Sequence, residues 1–283
     1  MTFLRRAIFA AFLSCIASAC SRDETSSNSF QSGPYDPAFV EQVKTMSERI
    51  RAEASTQPAH PFAGQYFQGD GLGVNLTLDI GPSGAYTLSW HGCLGLYHLE
   101  HGTAAFEGSA VRLRPAPGTP KNDFRVDREL TRVPWGKRTY LLAGSDMASF
   151  VEWINKDYEP RRAPHGSFYL RDGDEALPAE GDPELPADFK ERLHPLATAA
   201  VLSVGAERAV GANDPNYVAR TVTLDIGANR GVTDDTIFRP TDGRPLKFFV
   251  VRVARETCDA EISGARGGID VAVGSRVIGR VER

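Results

Sequence analysis

The chain has 283 residues, with 32 basic against 36 acidic side chains, a formal charge of −4 and 41% hydrophobic residues. That mild acidity leaves no basic footprint for nucleic acid, and the apolar content is that of an ordinary globular chain, not a disordered or fibrous one. The length admits one large or two modest domains.

The first element is "MTFLRRAIFAAFLSCIASACS". A short basic region, Arg5 and Arg6, precedes an apolar run from Ala7 to Ile16, then small residues and a cysteine. This reads as a secretory signal peptide, too short for an ordinary transmembrane helix. No later apolar run approaches about 18 residues. Ala17, Ser18, Ala19 and Cys20 resemble the lipobox of bacterial lipoproteins, with Ala17 where that motif more often has Leu. The resemblance implies that residues 1–19 are removed and that Cys20 becomes a lipidated first residue bearing acyl chains such as palmitate. Several chains together anchor a protein stably, where one does so only marginally. Ser21 stands where these lipoproteins carry Asp as an inner-membrane retention signal. The implied address is the bacterial cell envelope, at the periplasmic face of the outer membrane. Ordinary secretion, with cleavage near Ala19, is the rival reading. Removing residues 1–19 takes away Arg5 and Arg6, leaving 30 basic against 36 acidic side chains and a charge of −6.

Residues 20–34 are polar and Ser-rich and read as a flexible tether. Residues 35–56 predict an amphipathic helix: Asp36 can cap it, Pro37 suits its first turn, and Phe39, Val43, Met46 and Ile50 recur at three- to four-residue steps. The period then falls to two. In "GVNLTLDIG", Val74, Leu76, Leu78 and Ile80 share one face, with Asn75, Thr77 and Asp79 on the other. "AYTLSWH" places Tyr86, Leu88 and Trp90 opposite Thr87, Ser89 and His91, which makes a hairpin with one buried face. "TAAFEG", "AVRLRP", "FRVDRELTRV", "RTYLLA" and "GSFYLRDGD" are further strand candidates. One helix interrupts them, "SDMASFVEWINKDY", with Ser145 as its cap. Residues 62–176 are therefore expected to form an antiparallel β domain with one helix. The fold class is mainly β (α+β), an antiparallel barrel or sandwich with one or two packed helices.

Residues 177–193 are rich in Pro and acid and read as a linker with a short helix, "DFKERLH". Residues 197–283 form a second β-rich segment. Gly227, Gly231 and Val232, then Val273, Gly274 and Val277, resemble the Gly-x-x-x-Gly-Val and Val-Gly-x-x-Val pattern of small β-barrel modules in bacterial envelope proteins. The resemblance implies a fold and no activity. "TLDIG" occurs at 77–81 and at 223–227, but its flanks differ, and an alternating strand ending at a glycine turn explains both copies.

The densest chemistry is "WHGCLGLYHLEHG", Trp90 to Gly102, with three of the six histidines. Zinc motifs of the His-Glu-x-x-His kind need histidines four apart on a helix. Here His98 and His101 are three apart, among glycines that oppose a helix. On a strand, His98 and Glu100 face one way and His101 the other, which argues against a shared metal; His91 and Cys93 could meet across a bulge. A structural turn with Trp90 packed inward is the expectation, with no metal or cofactor and no catalytic residue assigned. Gly69 to Gly73 lacks the Lys-Ser/Thr ending of a phosphate loop and leads into a strand. Asp70, Asp79, Glu100 and Glu107 could approach one another as a glycosidase pair, but their spacing selects no pair, and solvated acids are the default. With Cys15 in the signal peptide and Cys20 lipidated, Cys93 and Cys258 remain. They form either one disulfide in an oxidising compartment or two separate buried thiols.

Together "GQYFQGDGLGVN", "WHGCLGLY", "WGKRTYLL" and "HGSFYLRDGD" resemble a group of uncharacterised bacterial lipoproteins, which implies the envelope setting and supplies no site residues. The expected function is a non-enzymatic, lipid-anchored envelope protein. It would associate with the membrane through its N-terminal lipid and bind an envelope protein partner or a small ligand, but not nucleic acid. The alternative is a periplasmic hydrolase or metal-dependent enzyme using His91, His98 and His101.

Overall fold

The structure is a computed structural model that describes residues 35–56, 60–71, 73–120, 126–158, 166–210, 214 and 216–283. The expected signal peptide, Cys20 and the tether lie outside the described residues.

Helix α1, Pro37–Thr56, begins where Asp36 accepts a hydrogen bond from the Ala38 amide at 2.9 Å. Its buried side chains are Val43 and Ile50, seven residues apart and so on one face. That face lies on the outside of strands β1–β4.

The first sheet is an up-and-down meander. Its strands are β1 Gly64–Gly69, β2 Val74–Ile80, β3 Ala85–Gly92, β4 Gly95–Glu107, β5 Ala110–Pro115, β6 Glu129–Trp135, β7 Arg138–Ala143 and β8 Tyr169–Arg171. Each pairs antiparallel with the next. β8 closes onto β1 through Tyr66 opposite Arg171 and Phe67 opposite Leu170, so the sheet is a closed eight-stranded barrel. Eight strands leave an interior just wide enough for side chains to fill. Tyr66, Leu78, Ile80, Tyr86, Leu88, Val111, Leu113, Leu130 and Leu141 fill it. The expected alternation in β2 and β3 holds for Leu78, Ile80, Tyr86 and Leu88, while Trp90, at the end of its strand, is half-buried. The strand expected at "TAAFEG" begins eight residues earlier than that motif suggests, at Gly95.

β7 is buried on both faces. Inside lies the barrel core. Outside, Tyr140 and Leu142 meet helix α2, Met147–Asn155, whose Phe150 ring sits edge-on to Tyr140 at 5.1 Å. Asp146, not Ser145, occupies the residue before the helix, and no side chain caps it.

The stretch 177–193, read from the sequence as a linker with a short helix, is tied to the first barrel by hydrogen bonds. Trp135 donates its indole Nε1 to the Gly181 carbonyl at 2.9 Å, Arg138 Nε donates to Leu177 O at 2.6 Å, and the Glu184 amide donates to Pro134 O at 2.8 Å. The short helix α3, Ala187–Lys190, follows, and Leu185, Phe189 and Leu193 join the α2 core. Pro and acid composition marked the connection. It could not show that barrel side chains satisfy its backbone.

The second sheet comprises β9 Leu196–Val204, β10 Arg208–Ala209, β11 Tyr217–Leu224, β12 Ile237–Pro240, β13 Phe248–Val253, β14 Cys258–Ala265 and β15 Arg276–Arg280. Its order is β10-β11-β14-β13-β12-β15-β9, and β9 returns to β11. Six strands thus close a second, smaller barrel, with β10 appended. Val222, Leu224, Ile226, Phe238, Phe248, Ile262 and Val277 form its core. Gly231 has φ +79°, and a Cβ there would stand 1.9 Å from the Glu282 carbonyl oxygen, so only glycine fits. The two "TLDIG" copies end β2 and β11, in barrels of different strand number and order. A common strand-to-glycine grammar accounts for them.

Candidate functional site

The segment from Trp90 to Gly102 folds as two strands around a two-residue turn, Cys93–Leu94. Gly92 is required there, since a Cβ would come 2.1 Å from the Tyr97 ring. Pairing sets Trp90 opposite His98 and Thr87 opposite His101. The three histidines therefore separate. His91 is exposed. His98, 3% exposed, points into the barrel. His101 lies on the outer face beneath α1, its ring 5.7 Å from that of Phe39. Among the described residues, no three His, Cys, Asp or Glu side chains are grouped to hold a metal ion.

His98 instead meets Glu100, two residues along the same face. Its Nε2 lies 2.8 Å from Glu100 Oε2. Tyr86 donates its hydroxyl to Oε1 at 2.9 Å, and Arg128 Nη1 donates to the same oxygen. Glu100 has no solvent exposure, while the Arg128 side chain keeps 39%. Burial alone would raise this carboxyl. The hydrogen bonds from His98, Arg128 and Tyr86, with the Arg128 charge, outweigh it and hold the group down at about 2. Burial and the neighbouring Glu100 charge push the Tyr86 phenol up. An ionised carboxylate accepts only, so His98 Nε2 carries the proton it shares. A carboxylate held by three donors near pH 2 is a poor proton donor at neutral pH. This geometry locks the barrel end and fits no general acid.

The other nominated acids separate too. Asp79, buried on the outer face, accepts from Ser47 and Arg51 of α1, from Gln65 at 2.9 Å and from Thr87 at 3.2 Å. It docks the helix onto β1–β3, so the expectation of a solvated acid fails there, as it does for Glu100. Asp70 Oδ1 accepts from the Gly73 and Val74 amides and shapes the glycine turn between β1 and β2. Glu107 is exposed and pairs with Arg112 at 3.3 Å. Cys93 sits in the exposed β3–β4 turn and Cys258 in the core of the second barrel, and no disulfide joins them. Burial first, then the Asp259 charge, pushes the Cys258 thiol up to about 12.

A cleft of about 870 Å³ opens between the two barrels. One wall is Leu177–Ala179 of the connector with Tyr158, and the other is formed by β12 and the turn from it to β13. Asp157 stands at its edge. The Tyr158 amide donates to Trp153 O at 2.8 Å and the Asp157 amide to Ile154 O at 3.0 Å. This is the Schellman closure of α2, in which the residue after the C-cap adopts the left-handed conformation and is usually glycine. Here it is aspartate, at φ 53°. Its carboxylate lies 3.4 Å from Arg239 Nη1 and 3.3 Å from Lys247 Nζ, and Lys247 also donates to its carbonyl at 2.6 Å. Arg280 makes a second junction, donating to His194 O and to Asp182 Oδ1, both at 2.6 Å.

Sequence reasoning missed Arg128, Asp157, Arg239 and Lys247. Parity counted back from Ala104 along one continuous strand would have turned Glu100 and His98 inward. No local pattern joins Asp157 to Lys247, 90 residues away. No family model, no curated protein and no solved structure matches the chain.

Proposed function

We propose that this chain is a non-enzymatic lipoprotein of the bacterial envelope, anchored through Cys20 at the periplasmic face of the outer membrane, and that its folded part binds a protein partner or small ligand. The basic region, apolar run and lipobox-like Ala17–Cys20 support the anchor. The observation that carries the binding reading is the contrast between two places. The nominated histidines point three ways and Glu100 is fully held inside a filled barrel, whereas the cleft between the barrels is open, of ligand size and lined by charged side chains. Pockets of roughly 300–1,000 Å³ suit small ligands.

A photo-crosslinking side chain at Thr241, within the cleft, tests the binding reading in intact cells, with the same group at Leu94, in the exposed β3–β4 turn, as the control. A discrete adduct from Thr241 and none from Leu94 is expected. Equal labelling at both positions would sink the cleft as the binding site. The anchor is tested separately: Cys20→Ser should abolish acylation and release the body as soluble protein.

A further inference from the structure

Taking the cleft as the binding site, we infer that it receives an anionic ligand whose carboxylate or phosphate is gripped by Arg239 and Lys247 in place of Asp157. Among the described residues of the walls, basic side chains outnumber acidic ones: Arg138, Arg239, Arg244 and Lys247 against Asp157 and Glu175. Two of these cations are engaged elsewhere. Arg138 is buried against the Leu177 and Glu175 carbonyls, and Arg244 is bonded to Asp242 and Asp270. Arg239 and Lys247 keep 45% and 38% of their side-chain surface open.

Asp157 displays the recognition geometry itself. One of its carboxylate oxygens faces each cation, at 3.4 and 3.3 Å, and a ligand carboxylate or phosphate carries the same pair of oxygens. These separations exceed the roughly 2.7–2.9 Å of a strong charge-assisted bond, so the carboxylate holds the cations loosely, while the 2.6 Å bond from Lys247 to the Asp157 backbone carbonyl keeps the ammonium in place whatever side chain stands at 157. Asp157 is also held in a backbone conformation that favours glycine. It is a tethered competitor that a better-placed anion can displace. Pro240, Pro245, Leu246 and Ile278 give the ligand's body an apolar wall, and Lys247, 5.1 Å from the Tyr158 ring, keeps its head at the cleft side of that ring.

The test is calorimetric titration of the chain from Cys20 onward with citrate, inorganic phosphate and, as the neutral arm, glucose. Three proteins are compared: the parent, Asp157→Gly, and Arg239→Ala with Lys247→Ala. Glycine retains the left-handed turn and removes only the competitor, so Asp157→Gly should bind the anion about tenfold more tightly, a change of about 1.4 kcal/mol. The double variant should lose binding, and the parent's affinity should fall with salt. Response to citrate alone assigns a carboxylate ligand, and to phosphate alone a phosphorylated one. Equal affinity in the parent and Asp157→Gly, undiminished binding in the double variant, or no anion binding to the parent and Asp157→Gly at millimolar concentration would overturn the inference. If anions fail while the Thr241 adduct persists, the anionic inference falls and the cleft reading stands.

Discussion

Tyr86 and Glu100, on neighbouring strands of the first barrel, share a hydrogen bond of 2.9 Å from which water is excluded. With His98 and Arg128 completing the shell, the carboxyl titrates at about 2 against an ordinary 4.5. The unfolded chain therefore takes up this proton first as pH falls. The stabilisation is complete above about pH 4.5 and is lost progressively as pH drops towards 2. Urea midpoints measured across that window should fall in the parent and much less in Glu100→Gln. At neutral pH, Glu100→Gln should cost about 3 kcal/mol, because Arg128 loses its counter-charge and the buried His98 and Tyr86 lose a charged acceptor. An unchanged midpoint for Glu100→Gln at pH 7 would mean that the network contributes nothing to the fold.

Asp157 separates two opposing effects. Asp157→Gly removes the left-handed strain, worth about 1 kcal/mol, and loses ion pairs that are part-exposed on the cation side, worth about 0–1 kcal/mol. Its melting temperature should stay close to the parent's. Asp157→Ala keeps the strain and loses the pairs, so it should melt measurably lower than Asp157→Gly. Identical melting of the two variants would contradict the strain assigned to this turn.

The connector should resist proteases. Limited digestion of the folded protein is expected to leave residues 177–193 intact, since the barrel binds their backbone. Trp135→Ala removes a buried ring and its bond to Gly181. It should cost about 3–5 kcal/mol and make that stretch the first site of cutting. Early cleavage there in the parent would show that the barrel does not protect the connector.

The two described cysteines should react differently. Cys93, in an exposed turn, should alkylate in the native protein, while Cys258, buried with its thiol pushed up to about 12, should alkylate only after unfolding. Mass spectrometry of protein treated with iodoacetamide, with and without urea, reads both. Native labelling of Cys258 would show that the second barrel opens.

Local pattern carried much of the fold. Alternation in β2 and β3 placed Leu78, Ile80, Tyr86 and Leu88 in the core, and the stripe Val43–Ile50 found the buried edge of α1. Parity also separated His98 from His101. What the pattern could not supply was contact between distant segments. Asp79 reads as the wet side of a strand until α1, some 30 residues earlier in the chain, covers it with Ser47 and Arg51. Glu100 reads as a solvated acid until Arg128 reaches it from the far side of β5. The cleft depends on how two barrels are docked through Asp157 and Arg280, which no window of sequence contains.

Strand β7 has a consequence for how the molecule breathes. Its six residues are enclosed by the barrel core on one face and by α2 and the connector on the other. Its amides can meet solvent deuterium only when both layers part, so they should exchange at the rate of global unfolding. Helix α1 buries two side chains and should exchange through local opening far more often. The barrel would thus lose its outer helix many times for each time it exposes β7, and deuterium uptake should run as a gradient from one to the other.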